Sequence, residues 1–220
     1  MENCMNLEEA RTRMIAQQLR TWDVFDNQVL EAVRQSAREL FVPKDYYDFA
    51  FADMEIPLAY NQYMMTPKVE GRLLQSLALK ADEKILEVGT GSGFLTACLS
   101  HLSKTTVSID IIPQFTTDTR QKLNHLNIKN VELHTKDVFD LNNNDQFDVI
   151  AITGSLPSID ERLIQMLRPS GRMFVIVGQA PVMEALLITK NTNEDWMQET
   201  LFETVVAPLS NTYHHEPFVL

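Results

Sequence analysis

The 220-residue chain contains little cysteine and no long apolar segment. Its two cysteines, Cys4 and Cys98, lie far apart and form no CxxC pair, so the sequence predicts neither a zinc site nor a disulfide framework. No apolar run approaches the ~18 residues that a membrane helix needs. The charged start, MENCMNLEEARTR, lacks the apolar core of a signal peptide. These absences predict a cytoplasmic protein with no membrane segment and no metal.

Positive charge is also scarce, because 19 basic side chains stand against 30 acidic ones, for a net charge of −11. Phosphate groups and anionic lipids bind to positive surfaces, so we expect no nucleic-acid partner and no membrane-surface partner. The hydrophobic share of 45% and the charged share of 22% are typical of a globular protein. We therefore expect a single domain over residues 1–220 with a substantial core.

The first 65 residues favour helices and irregular chain. Asn6, followed by Glu9, has the spacing of a capping box and predicts a helix that begins after it. Apolar residues recur at helical spacing within residues 26–37, which predicts a second helix. Residues 41–60 mix aromatic side chains with prolines and read as packed, irregular chain. Residues 1–65 are therefore predicted to form a helical cap and lead-in segment.

From Thr66 onward, the pattern alternates between strand and helix. Thr66 suits an N-cap and Pro67 suits the first position of a helix. Ser158, followed by Glu161, predicts another helix start. Short apolar runs rich in β-branched residues separate the helical segments, and they read KILEVG, TTVSID, NVELHT, FDVIAITG and GRMFVIVG.

This alternation predicts an α/β fold whose parallel strands are joined by right-handed crossovers. MEALLITK and WMQETLFETVV follow with a short turn between them, which predicts an antiparallel edge. Residues 66–220 are therefore predicted to form a doubly wound, mostly parallel sheet. The polar run NNND, at 142–145, reads as a turn, and His214-His215-Glu216 reads as a solvated tail rather than a metal site.

The segment ILEVGTGSGFLTACL places Gly89, Gly91 and Gly93 between a predicted strand and a predicted helix. Glycines at this point allow close approach of a ligand to the backbone, and the helix start offers free amide donors. A phosphate-binding Walker loop would end in Gly-Lys-Ser/Thr, which is absent, and the dinucleotide pattern would need glycine where the chain has Phe94. A simple strand–helix turn remains the alternative.

Two acids follow the next two strands. Asp110 ends the second strand, where a carboxylate can accept hydrogen bonds from two ribose hydroxyls, and Asp137 follows the third, where it would approach an adenine amino group. The carboxyl ends of neighbouring parallel strands meet at one edge of a sheet, so the loop and both acids should lie close together. An adenosine-bearing ligand without phosphates suits this acidic set.

Together these motifs resemble the S-adenosylmethionine-binding core of the Rossmann-like methyltransferases, as do FDVIAITG and LRPSGRMFVIVG. The resemblance implies S-adenosyl-L-methionine as cofactor and no metal ion. It assigns cofactor binding to Glu87, Gly89, Thr90, Gly91, Gly93, Asp110, Ile111, Asp137, Val138 and Thr153.

A narrower resemblance covers about residues 30–210. ARELFVPKDYYDFAFADMEIPL, NQYMMTPKV, LRPSGRMFVIVG and VVAPL are similar to segments of the protein-L-isoaspartate O-methyltransferases. The resemblance implies transfer of a methyl group to the carboxylate of damaged aspartate or asparagine, with an isoaspartyl protein or peptide as partner. It assigns the acceptor side of the site to Gln62, Tyr63 and Met65, which lie in NQYMMTPKV.

The chain departs from this family at two of these positions. Gln62 is kept, but Tyr63 stands where the family has threonine and Met65 where it has serine. A serine hydroxyl can donate a hydrogen bond to an acceptor carboxylate, whereas a thioether cannot. The sequence therefore leaves two alternatives beside a divergent isoaspartyl enzyme. One is a related enzyme with a different acceptor, and the other is a cofactor-binding protein that acts through a partner without catalysis.

Overall fold

A computed structural model of the protein describes residues 2–141, 146–192 and 195–212. The predicted turn at 142–145 and the predicted tail with His214 lie outside these residues. The helices are α1 (Glu2–Met14), α2 (Asn27–Gln35), α3 (Pro67–Ser76), α4 (Phe94–Leu102), α5 (Pro113–His125) and α6 (Glu161–Gln165). The strands are β1 (Ile56–Pro57), β2 (Tyr63–Met64), β3 (Lys84–Val88), β4 (Thr105–Asp110), β5 (Val131–Thr135), β6 (Phe147–Leu156), β7 (Leu167–Gln179), β8 (Val182–Lys190) and β9 (Trp196–Glu203).

Seven strands form the central sheet, in the order β5-β4-β3-β6-β7-β8-β9. The pairs from β5 to β7 are parallel, and β8 and β9 add antiparallel partners at the far edge. The chain moves outward from β3 to β5, then crosses back to place β6 on the other side of β3. The predicted doubly wound sheet with an antiparallel edge is confirmed, and its switch point lies between β3 and β6.

Both faces of the sheet are covered, and β7 shows how the sequence achieves this. Phe174 and Ile176 pack into the apolar cluster on one face, while Met173 and Val175 pack into the cluster on the other. Successive strand residues point to opposite faces, so a strand that is buried on both sides reads as a continuous apolar run. No helix in the described part of the chain has the length and hydropathy that crossing a bilayer requires.

Two predicted helix starts are wrong. The first helix already begins at Glu2, so Asn6 lies within it and does not open it. The residues before Asn6 have no glycine or proline that would stop a helix, and the helical backbone therefore extends toward the N-terminus. Ser158 precedes α6 by several residues, and Asp160 is the actual N-cap, with its carboxylate accepting from the Arg162 amide at 3.0 Å.

The other predicted helices agree with the structure. α2 covers Asn27–Gln35, and its N-cap, Asp26, accepts from the amides of Gln28 and Val29. α3 begins with Pro67 at its first position and Thr66 at the N-cap. The Thr66 hydroxyl makes no capping bond and has no hydrogen-bond partner in the described part of the chain.

Arg38 joins the lead-in segment to the rest of the molecule. Its fully buried guanidinium donates to the carbonyl oxygens of Ala50 (2.9 Å) and Met65 (2.7 Å), and pairs with Glu70 on α3. It also lies over the ring of Phe94, 4.8 Å from the ring centroid, at the start of α4. Breaking a buried ion pair leaves an uncompensated charge, which costs several kcal/mol. The lead-in segment is therefore packed onto the core through a buried charge that Glu70 offsets.

Candidate active site

The glycine loop turns sharply between β3 and α4. Gly89, Gly91 and Gly93 have φ values of 95°, 50° and 86°, in the left-handed region that favours glycine. A Cβ atom on Gly89 would lie 2.2 Å from the Thr153 hydroxyl oxygen. That hydroxyl donates to the carbonyl oxygens of Val88 (3.0 Å) and Gly89 (2.9 Å), so the loop is clamped against β6. Only glycine permits this packing at position 89.

Asp110, at the end of β4, supports the same loop from the other side. One carboxylate oxygen accepts from the Gly91 amide at 3.0 Å, and the other accepts from the Ile112 amide at 2.9 Å. The side chain is 8% exposed, and burial raises its pKa against the opposing effect of these backbone donors. Asp110 is thus held in place at the strand end, with its remaining acceptor capacity facing the cleft that opens there.

This cleft lies at the carboxyl edge of the parallel strands and encloses about 830 Å³, counted out to its open mouth. Open α/β sheets bind small-molecule ligands at this edge. Among the described lining residues, Lys136 is the one cation and stands against the carboxylates of Glu55, Asp110 and Asp137. Ten predicted site residues contribute to the wall: Gln62, Tyr63, Met65, Gly89, Gly91, Asp110, Ile111, Asp137, Val138 and Thr153.

Three residues that the resemblance assigned to cofactor binding do not line the cleft. Glu87 is fully buried behind the loop, where it accepts hydrogen bonds from Thr96 and Ser108, and burial raises its pKa to about 8. The hydroxyl of Thr90 is hydrogen-bonded to that of Ser108 at 2.7 Å. Gly93 packs against Thr119 on α5. These residues support the loop from beneath.

The C-terminal segment is a part of the wall that the sequence did not predict. Residues 206–210 line the cleft after the last strand, and Ser155 ties them to β6. The Ser155 amide donates to the Ala207 carbonyl at 3.0 Å, and the Leu209 amide donates back to the Ser155 carbonyl at 2.9 Å. The Asn211 side-chain amide donates to Asp137 at 2.7 Å. The motif VVAPL, in the same segment, was the available signal.

The lip of the cleft is a small antiparallel ribbon formed by β1 and β2, in which Ile56 pairs with Met64 and Pro57 with Tyr63. Ile56 and Met64 point into the core, whereas the ring of Tyr63 is 45% exposed. Met65 follows β2, is 8% exposed and lines the cleft. The lip therefore presents a thioether, not a hydroxyl, to any ligand in the cleft.

The fold and the cleft together define a Rossmann-like protein that binds its ligand at the switch point of the sheet. Comparison with known proteins gives the family. The family model for protein-L-isoaspartate(D-aspartate) O-methyltransferase matches residues 9–214. The chain therefore belongs to this family.

Individual relatives agree with the family model. The chain is 34% identical to protein-L-isoaspartate O-methyltransferase 1 of Syntrophobacter fumaroxidans, over 84% of this chain and 86% of the relative. It is 36% identical to protein-L-isoaspartate O-methyltransferase of Myxococcus xanthus, over 70% and 73% of the two chains. A Plasmodium falciparum protein described as an enzyme of this type, solved with S-adenosyl-L-homocysteine, shares the fold with a TM-score of 0.80 and 17% identity, covering 93% and 98%.

Proposed function

We propose that the protein transfers the methyl group of S-adenosyl-L-methionine to the free α-carboxylate of an isoaspartyl residue in a protein or peptide. Family membership over residues 9–214 is the observation that carries this proposal. The cleft at the switch point and the acid at the end of β4 support it.

The residues of the cleft suit this donor. The carboxylate of Asp110 would accept from the ribose hydroxyls, and Asp137 would accept from the adenine amino group. Ile111 and Val138 offer apolar surface to the base, since Ile111 is 43% exposed at the cleft. A single cation among the described lining residues provides little for a pyrophosphate, which favours a nucleoside without phosphates. We assign Glu87, Thr90 and Gly93 an indirect role through the loop that they support.

The reaction requires alignment more than acid–base chemistry. The bound donor supplies a methyl group activated by a positively charged sulfonium. The acceptor carboxylate is already ionised near neutral pH, so the protein needs no base to generate the nucleophile. What the chain contributes is orientation by the loop and exclusion of water by the lip that contains Gln62, Tyr63 and Met65. A cytoplasmic location remains a prediction.

A second acceptor class is favoured by one observation, the absence of a hydroxyl at Met65. The following experiment distinguishes an isoaspartyl acceptor from a different acceptor. S-adenosyl-L-methionine with a labelled methyl group is incubated with an isoaspartyl peptide and with its normal aspartyl isomer. We expect label only on the isoaspartyl peptide, with S-adenosyl-L-homocysteine binding measured in parallel by calorimetry. If the protein binds S-adenosyl-L-homocysteine but methylates neither peptide, the isoaspartyl proposal is contradicted. Another acceptor, or a non-catalytic role, would then be the explanation.

A further inference from the structure

The wall on the acceptor side contains a carboxylate that no residue neutralises. Glu55 precedes β1 and lines the cleft, yet it has no hydrogen-bond or ion-pair partner in the described part of the chain. A second cavity adjoins the cleft, and Glu55, Met65 and Val206 line both. A methyl donor in the cleft and an acceptor in the second cavity would therefore meet beside these three side chains.

The ribbon brings Glu55 and Met65 to the same two cavities. Ile56 pairs with Met64, and Glu55 and Met65 flank this pair, the first just before β1 and the second just after β2. Glu55 is exposed, whereas Met65 is 8% exposed and packs in the same apolar cluster as Ile56 and Met64. Because both side chains line the cleft and the second cavity, they lie where a methyl donor and an acceptor would meet.

We propose that Glu55, carrying a proton, donates a hydrogen bond to the acceptor carboxylate and so supplies the donor that Met65 lacks; this inference rests on the proposed isoaspartyl function. Two carboxyl groups in contact cannot both be ionised at low cost, so one proton is shared between them. The free oxygen of the acceptor attacks the methyl carbon as the carbon–sulfur bond breaks, and its electron pair stays on sulfur. The proton on Glu55 is not consumed.

The charges around Glu55 are compatible with this role. Lys68 lines the second cavity, but its ammonium group is paired with Asp53 at 2.8 Å and lies over the ring of Trp22. Lys136, Asp110 and Asp137 line the cleft, and none of them pairs with Glu55. Partial burial raises the pKa of Glu55 above its ordinary value.

Thr66 offers another donor, because its buried hydroxyl has no partner in the described part of the chain. It lines the second cavity but not the cleft, whereas Glu55 lines both. Glu55 is therefore better placed for an acceptor at the junction with the methyl donor. The experiment includes both positions.

The test measures kcat/KM for an isoaspartyl peptide from about pH 5.5 to about pH 8.5 in the wild type and in Glu55→Gln, Glu55→Ala and Thr66→Val variants. The transferred methyl label is counted as the peptide methyl ester plus the methanol that the ester releases. Because the shared proton is lost as pH rises, wild-type transfer should fall toward alkaline pH. Glu55→Gln keeps a permanent N–H donor, so its profile should be flatter and its rate should exceed the wild-type rate at about pH 8. Glu55→Ala should lose about tenfold at about pH 6.

Restoring the activity of Glu55→Ala with a second substitution distinguishes a hydrogen-bonding role of Glu55 from a purely structural one. Met65→Ser in the Glu55→Ala background should restore about tenfold at about pH 6, since a hydroxyl then replaces the lost donor. Affinity for S-adenosyl-L-homocysteine should stay unchanged in all these variants. The matched control is Glu184→Gln, which removes an exposed carboxylate on β8 that lines neither cavity and should leave the profile as in the wild type.

Three results would overturn the proposal. If Glu55→Gln and Glu55→Ala have the same dependence of kcat/KM on pH, no hydrogen-bond donor acts at this position. Loss of transfer in Glu55→Gln shows that the carboxylate acts as a base instead. A large loss confined to Thr66→Val assigns the donor to Thr66. If the wild type binds S-adenosyl-L-homocysteine but methylates no isoaspartyl peptide at any pH, the proposed function fails, and this inference fails with it.

Discussion

The two sides of the cleft are built very differently. On the cofactor side, backbone and side-chain hydrogen bonds hold the glycine loop between β4 and β6, with Gly89 donating to Ile109 at 2.8 Å and Asp110 and Thr153 tying the loop further. On the acceptor side, the lip consists of two strands of two residues each, and its Tyr63 is half exposed.

The same two regions also differ in how closely their sequences follow the family pattern. The tightly bonded loop keeps the glycines and acids of the methyltransferase pattern, whereas the lip carries the departures at Tyr63 and Met65. Side chains on a short ribbon can be exchanged without disturbing the loop, because few hydrogen bonds link the two. We therefore expect donor binding and acceptor selection to be separable in this fold, and the following experiments test that expectation.

Removal of the entire lip should have the largest effect. Deleting residues 1–65 removes the acceptor wall and leaves Glu70 buried without Arg38. We expect methyl transfer to be abolished, with a strong loss of thermal stability measured by circular dichroism. Full activity in the truncated protein would contradict the assignment of the lip to the acceptor site.

Arg38→Met should be the most destabilising point change. It leaves the Glu70 carboxylate buried and unpaired, and we expect a loss of about 3–5 kcal/mol in the free energy of unfolding in urea. The matched control is the double variant Arg38→Met/Glu70→Leu, which removes both charges and should recover much of this loss. A double variant as unstable as the single one would show that the other contacts of Arg38, to Ala50 and Met65, matter more than the ion pair.

Asp110→Ala tests the cofactor side alone. We expect binding of S-adenosyl-L-homocysteine to weaken by about 1–3 kcal/mol, since charge-assisted ribose bonds and the support of the Gly91 amide are lost. Calorimetry measures the affinity, with Asp118→Ala on α5 as control, because that carboxylate does not line the cleft. Unchanged affinity in Asp110→Ala would show that the ribose is bound elsewhere.

Met65→Ser in the otherwise wild-type chain should have the smallest effect. A hydroxyl at this position adds a second donor beside Glu55, so we expect transfer to an isoaspartyl peptide to rise by at most about tenfold, or about 1.4 kcal/mol. Affinity for S-adenosyl-L-homocysteine should not change. Loss of transfer would instead indicate that the thioether packs against the acceptor, and would favour a different substrate class.

The sheet and the loop were predictable because their signals are local. Buried parallel strands read as short apolar runs, and a glycine-rich turn between strand and helix is visible in a few residues. The placement of Glu87 was not predictable in this way. It precedes the loop directly in sequence, but its side chain faces Thr96 and Ser108 and not the cleft.

The residues that complete the site depend on distant packing. Glu55 and Met65 line the same cavities although ten positions separate them, and Asn211 reaches Asp137 from more than seventy positions away. Neither arrangement leaves a periodic pattern in the sequence. The burial of Arg38 was not predictable either, because a basic side chain is normally exposed. Its buried ion-pair partner, Glu70, lies on α3 and is brought to it by the fold.

The C-terminal segment that closes the cleft also bears on the order in which the site can form. A chain leaves the ribosome from its N-terminus. The glycine loop and the acids at the ends of β4 and β5 therefore emerge before residues 206–210 and Asn211, which complete the wall and contact Asp137. This part of the wall can form only after the strands that carry both acids have been synthesised.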